Sequence, residues 1–339
     1  MSDGAKGPTV LVTGVCALVS GATGFLGRHL AAALHKRGFK VRALARPTAD
    51  VRRLSELGVE IVQGDLSDSE SLAQATEGQS LVFHTAGKVT DWGPRAEYFR
   101  ANLDGTRNVI AACQRTGVSR LVHVSSLTVL GLPRAGAVVD ERAPYAEAPR
   151  DAYTQSKIAA EKLVRESHGV RGLATTVVRP GVIWGPGDIT IVPRFTALLR
   201  RGRLVLVDEG RNLLGLSHVE NLSQGVILAA QSERAAGEVF HVTDGEEITA
   251  RAALEEIARV LGVAGPRRSL PYWAAYAIAG AMEGAARLTR RREPPPMTRY
   301  GVRLVSCDCR YDLTKARNVL GYQPKVTFKE GIRYLAAVD

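Results

Sequence analysis

Tyr153 and Lys157 stand four residues apart in the stretch DAYTQSKIAAEKL, and Ser126 lies 27 residues before the tyrosine, at the end of the apolar run RLVHVSS. On a helix, positions i and i+4 share a face, so the phenol and the ammonium would lie side by side. A phenol with its ordinary pKa of about 10 carries protons poorly at neutral pH, and a neighbouring ammonium favours phenolate and lowers that value. The three groups together suit hydride transfer at a carbinol carbon. Tyr153 gives or takes the hydroxyl proton, Ser126 orients the oxygen, and Lys157 acts on the phenol while holding the ribose of a nicotinamide cofactor.

Such chemistry needs a dinucleotide site, and two apolar runs near the N-terminus compete to supply its first strand: VLVTG at 10–14 and CALVSG at 16–21. Only the second leads directly into Gly21, Gly24 and Gly27 and then into the apolar-periodic helix FLGRHLAAALHKRG. Strand, glycine turn and helix are the context that gives the pattern meaning. Gly21 allows the tight turn, Gly24 lets backbone N–H groups approach a pyrophosphate, and Gly27 lets helix and strand pack closely. The intervening Thr23, Phe25 and Leu26 join this cofactor set. The 10–14 run reads as a short extra strand, a local duplication or a leader, so residues 1–13 are expected to be dispensable.

The next strand ends at ALARPTAD, where an acid would bond the adenosine ribose 2′-hydroxyl; the residue present is Arg46. Its guanidinium suits a 2′-phosphate, which favours NADP(H) over NAD(H). Asp50 is too far along to substitute. In VQGDL, Asp65 and Leu66 are placed beside the adenine, and in HTAG the small Ala86 and Gly87 let the chain pass close to the cofactor.

These residues must be carried by alternating strands and helices. Short apolar runs (VCALVS, KVRALA, VEIVQG, SLVFHTA, SRLVHVSS, ATTVVRP) recur between helical patterns from residue 15 to about 180. That alternation predicts an α/β fold, a doubly wound parallel sheet of the Rossmann kind with a smaller C-terminal substrate lobe, because parallel neighbours need crossovers. The expected division is 1–180 for the dinucleotide domain, with 212–243 returning to it, and 181–211 plus 244–339 for the lobe.

A formal charge of +11 is spread along the chain without interleaved aromatics, a pattern of solvated faces that does not predict nucleic-acid binding. Cys16, Cys113, Cys307 and Cys309 show no metal-ligand spacing, and no metal is expected. In an extended chain Cys307 and Cys309 are badly spaced for a bridge, so all four are read as reduced thiols in a cytoplasmic protein. The segment PYWAAYAIAGAMEGAARLTRRR admits two readings: a helix buried in the lobe, or a surface helix that dips into an anionic bilayer as a peripheral membrane contact.

The motifs SGATGFLG, GDL, HTAG, NLDGTRNV, VSSLTVLG, YTQSK, RPGVIWGPGD, HVENL and YDLTKARNVLGYQPKVTFKEGI together resemble those of extended short-chain dehydrogenases/reductases, over nearly the whole chain. The resemblance implies that Asn102 anchors the segment beside the cofactor and that Pro180, Gly181 and Val182 line the nicotinamide. TDWGPRAEYFRANLDGTRNV, RPGVIWGPGD and HVENL are similar to the 3β-hydroxysteroid dehydrogenase and 2-alkyl-3-oxoalkanoate reductase branch. That likeness implies a lipid-like substrate bearing a secondary alcohol or ketone, and family members often pair as homodimers. Trp92 and Trp184 follow strand ends and are substrate candidates with Ser126, while Tyr272, Trp273 and Tyr276 read equally as lobe core or substrate surface. A nucleotide-sugar epimerase or dehydratase, with Arg194 as a diphosphate contact, shares the fold and the Ser-Tyr-Lys set. A non-catalytic dinucleotide-binding module is the third reading.

Overall fold

Each central strand is apolar on both sides, and its alternate residues enter different cores. In β1 (Cys16–Ser20), Ala17 and Val19 pack into one hydrophobic cluster and Leu18 into another. The same alternation holds for Phe83 and Val82, Val122 and Leu121, and Val178 and Val177. A sheet with a core on each face must be covered by helices on both sides, which is the parallel solution.

The computed structural model describes residues 14–131, 136–289, 291 and 293–337. Its seven-stranded sheet comprises β1, β2 (Lys40–Ala45), β3 (Glu60–Gln63), β4 (Leu81–His84), β5 (Arg120–Val124), β6 (Ala174–Pro180) and β7 (Val239–Val242). They are ordered β7-β6-β5-β4-β1-β2-β3, all pairings being parallel. The order reverses between β1 and β4, and at that switch point the carboxyl ends of the strands leave a crevice. CALVSG is thus the first strand among the described residues and feeds the glycine turn, as predicted; VLVT at 10–13 lies outside the described residues, and so does the question of whether 1–13 can be dispensed with.

Helix α1 (Phe25–Lys36) buries Leu26, Leu30, Ala31 and Leu34 against one sheet face, a stripe at helical spacing. Each fully buried leucine stabilises this packing by about 1.5–3 kcal/mol. The opposite face carries α2 (Gly105–Thr116), which buries Val109, Ile110 and Cys113, and α3 (Ala152–Glu166). Helix α4 (Val219–Gln231) returns to the α1 side, placing Leu222, Val226 and Ile227 in the same core.

A third cluster gathers Trp184, Val192, Leu199, Ile257, Phe328 and Ile332. A small fourth one, Val207, Ala275, Ala279 and Val302, holds α5 (Tyr272–Leu288) and α6 (Arg299–Ser306). Helix α5 is not the buried lobe helix that its composition suggests. Only Ala275, Ala279, Glu283 and Ala286 face inward, whereas Trp273 is 73% and Leu288 87% exposed, with Ile278 and Met282 also in solvent. Small alanines, not the large residues, make the close contact. No helix of the described residues is long and apolar enough to cross a membrane.

Candidate active site

The loop after β1 is shaped by steric exclusion. Gly21 has φ of +75°, a conformation side chains rarely adopt, and a Cβ there would lie 2.7 Å from the Ala86 backbone. A Cβ on Gly27 would fall 2.0 Å from the Gly21 carbonyl oxygen. Glycine is therefore required at both positions. Gly24 takes extended backbone angles as the α1 N-cap, with no side-chain cap and no acid in the first turn, so the leading N–H groups and the positive end of the helix dipole face the crevice. This cradle fits the pyrophosphate of a dinucleotide. Thr23 and Phe25 are half-buried at its rim and Leu26 anchors it in the core.

Arg46 is exposed just past β2. Asp65 follows β3, and its carboxyl is held below the usual range by hydrogen bonds from Ser67, with the Arg46 guanidinium assisting. Leu66 packs beside Gly105 and its carbonyl accepts from Asn108. Gly87 lies against the Asn102 Oδ1 and the Lys157 Nζ, where a Cβ would be 3.0 and 3.6 Å away. Asn102 sits on a π-helical turn, Phe99–Asp104, an irregularity frequent at functional sites. It accepts from Lys88 N at 2.7 Å and donates to the Ser156 hydroxyl at 2.9 Å, fastening the loop after β4 to α3.

Asp151 caps α3 by accepting from Thr154 N at 2.7 Å, and this fixes the start of the helix that carries Tyr153 and Lys157. Lys157 Nζ donates to the carbonyl of Val124, the last residue of β5, at 2.9 Å. Two residues on, Ser126 Oγ accepts from Thr128 N at 3.3 Å and from Thr128 Oγ1 at 3.0 Å. With these acceptor positions used, the Ser126 proton is left to be donated. All three side chains are buried.

The electrostatics depart from expectation at Tyr153. Burial pushes its phenol up to about 12, and the opposing hydrogen bond with Ser126 does not compensate. The expected lowering by Lys157 is not among the effects on this phenol; desolvation of the phenolate dominates. Lys157 is itself pushed down to about 8 by burial, with Glu161 opposing. Behind them, His84 and His123 sit in register on β4 and β5. Burial, aided by the Lys157 charge, keeps both imidazoles neutral.

Several partners carried no local signal. Tyr300, on α6, packs edge-on to Tyr153 with ring centroids 6.3 Å apart, and it lines a cleft with Thr128, Asp151, Thr154, Arg303 and Leu304. Glu161, one turn beyond Lys157, accepts from Ser125 Oγ at 2.5 Å and from Tyr145 at 3.0 Å, and pairs with Arg179. A glutamate at i+4 from the lysine was readable as spacing; its arginine partner on β6 was not.

Pro180 ends β6, and Gly181 and Val182 continue the chain past the crevice, Val182 N donating to Gly215 O at 2.8 Å. Trp92 is half-buried and donates from Nε1 to the Arg291 carbonyl at 3.1 Å. Trp184 is not available to a substrate: it is 2% exposed, donates to Asp244 at 2.8 Å and packs on His218 and Phe328 in the lobe core. Of the other aromatics, Tyr276 packs in the α5–α6 cluster, Tyr272 stacks on it half-exposed, and Trp273 faces solvent. Arg194 is bonded to the Pro296 carbonyl and lies 3.7 Å from Asp91. Among the described residues no cluster could hold a metal ion.

A doubly wound parallel sheet with a glycine cradle at its switch point is the framework of an NAD(P)-dependent oxidoreductase of the extended short-chain dehydrogenase/reductase class. The chain belongs to the 3-beta hydroxysteroid dehydrogenase/isomerase family, whose model matches residues 18–271. It is 34% identical to a 2-alkyl-3-oxoalkanoate reductase of Shewanella oneidensis, over 95% of this chain and 85% of that protein. A mouse sterol-4-alpha-carboxylate 3-dehydrogenase, decarboxylating, is 32% identical over 93% of this chain and 88% of its own. Among solved structures, that of gox2253 superposes with a TM-score of 0.78 at 30% identity, covering 95% of this chain and 98% of that one. This family membership sets aside the non-catalytic reading.

Proposed function

We propose that the protein interconverts a secondary alcohol and a ketone, a 3β-hydroxy or 3-oxo group on a sterol, steroid or 2-alkyl-3-oxo fatty acid, with NADP(H) preferred to NAD(H). The observation that carries the reading is the meeting of Ser126, Tyr153 and Lys157 at the end of β5, beside the glycine cradle. When bound, the nicotinamide supplies or accepts the hydride. In reduction, Tyr153 gives its proton to the ketone oxygen while Ser126 donates a hydrogen bond to the same atom. A phenol held protonated by burial suits the donor role. Lys157, tied to the Val124 carbonyl with Asn102 and Gly87 beside it, would hold the ribose, and Pro180–Val182 would line the nicotinamide as the family resemblance implies.

The apolar substrate class draws support from the relatives' names, from Tyr300 beside Tyr153 and from Leu304 in the cleft that Tyr300 lines. The phosphate preference rests on Arg46 at the end of β2, with no acid in its place. Fluorescence titration should show tighter binding of NADPH than NADH. Arg46→Ala should weaken NADPH about tenfold, near the low end for a charge-assisted hydrogen bond because the guanidinium is exposed, and leave NADH unchanged. Equal loss for both cofactors would remove the phosphate assignment.

The solvent face of α5 (Trp273, Ile278, Met282, Leu288), followed in sequence by Arg290–Arg292, suits the surface of an anionic bilayer in which such substrates dissolve. Vesicles rich in phosphatidylglycerol should float with the protein, and Trp273→Ser with Leu288→Ser should reduce the bound fraction several-fold. Protein left wholly in the soluble fraction would count against this contact.

A further inference from the structure

Cys307 ends α6 and Cys309 follows two residues later, yet their sulphurs lie only 2.8 Å apart. Cys307 is itself extended and a tight turn follows at Cys309, with Arg310 N donating to the Asp308 carbonyl at 3.2 Å; the two side chains nevertheless meet, contrary to the sequence expectation. The turn is held from outside as well. Cys307 O accepts from Asn212 Nδ2 at 3.2 Å, Asp308 Oδ1 from Leu213 N at 2.9 Å, and Cys309 N donates to Leu213 O at 3.0 Å. Asp308 also takes the Gly136 amide at 3.1 Å. Three successive residues are thus fastened to the neighbouring segment Asn212–Leu213, which holds the two cysteine backbones in place.

The two thiols differ. Cys307 is buried and donates to Cys309, which pushes the Cys307 thiol up. Cys309 is half-buried, and that same hydrogen bond, with others from the Gly215 backbone and Tyr311, lowers its thiol despite the opposing effect of burial. Cys309 is therefore the more thiolate-like of the two and belongs to the less buried residue. Cys113, by contrast, is fully buried and pushed up to about 12. Closing a disulfide from 2.8 Å requires a relative approach of only about 0.8 Å.

We propose that Cys307 and Cys309 form an oxidisable dithiol that hydrogen peroxide converts to an intrachain disulfide within the folded protein. The Cys309 thiolate attacks one peroxide oxygen. The O–O bond breaks, an S–O bond forms, and the departing hydroxide takes up the proton lost when Cys309 ionised, giving water. Cys307 then attacks the Cys309 sulphur; the S–S bond forms, the S–O bond breaks, and hydroxide leaves with the Cys307 proton as a second water. Two thiols lose two electrons and the peroxide is reduced to two waters. The bridge would lie next to the cofactor wall, since Cys309 packs on Gly215, whose carbonyl accepts from Val182.

The test uses the full chain, reduced, exposed to a small molar excess of hydrogen peroxide, then alkylated and digested with trypsin. Cleavage after Arg303 and Arg310 releases LVSCDCR with both thiols. The expected product is this peptide two hydrogens lighter and unalkylated, restored by a reductant, while the Cys113 peptide stays alkylated. Cys307→Ser should abolish the mass loss and leave Cys309 as a sulfenic acid trapped by dimedone. A peptide that remains fully alkylated while Cys16 oxidises, or that closes only in urea, would overturn the proposal. The wild-type measurement decides even if a variant fails to fold.

Discussion

Tyr153→Phe should lower kcat by about 10²–10⁴-fold while leaving dinucleotide affinity within about twofold of wild type. The substitution removes one hydroxyl from a fully enclosed ring and leaves its packing on Tyr300 in place, so folding is little disturbed. On the proposed mechanism, what is lost is the proton that must reach the substrate oxygen as the carbon accepts hydride. Burial holds the phenol protonated, as a proton donor requires. Steady-state rates paired with cofactor titration check the prediction. A variant that retained full kcat would refute the assignment of the proton donor, and one that lost cofactor binding in proportion would recast Tyr153 as a structural element of the cofactor wall.

Replacing Glu161 by leucine should destabilise the protein by about 3–5 kcal/mol, a large share of the roughly 5–15 kcal/mol that separates a folded domain from its unfolded chain. Glu161 and Arg179 have side chains 0% and 2% exposed, and the guanidinium meets the carboxylate through Nε at 3.0 Å and Nη2 at 2.5 Å. Removing the carboxylate strands a buried charge and also takes away the acceptor of the Ser125 and Tyr145 hydroxyl protons. The unfolding midpoint should fall by on the order of 10 °C. Glu161→Leu combined with Arg179→Met should recover most of the loss, since the cost lies in the unpaired charge and not in the absence of the pair. A single variant within about 1 kcal/mol of wild type in urea unfolding would contradict this account. Glu161 also favours the Lys157 ammonium, so its effect extends to the site.

What could be read from the sequence was what local rules control. The glycine spacing after CALVS required positive φ and close backbone approach, and the structure has the first at Gly21 and the second at both Gly21 and Gly27. The four-residue spacing of Tyr153 and Lys157 needed only a helix, which Asp151 starts. The misses came from long-range packing. Trp184 looked like a pocket aromatic because it follows a strand end, but Asp244 and Phe328, far along the chain, close over it. Tyr300 reaches Tyr153 across 147 positions of sequence, and nothing near it announced that contact. Helix α5 was ambiguous because alanines can pack as closely as larger residues, so composition alone did not say which face would be buried. The phenol pKa was misjudged because a neighbouring charge can be inferred from spacing whereas desolvation cannot.

The central claim, hydride transfer to a ketone on an apolar body, is tested most directly with NADPH and NADH carrying deuterium at the nicotinamide C4 position. The protein would be incubated with a 2-alkyl-3-oxo fatty acid and, separately, with a 3-oxosteroid, and the products analysed by mass spectrometry. The account predicts an alcohol from at least one of them with deuterium on the carbinol carbon, formed faster from NADPH and absent with Tyr153→Phe. Alcohol from neither substrate, together with interconversion of a nucleotide sugar by the same preparation, would contradict it.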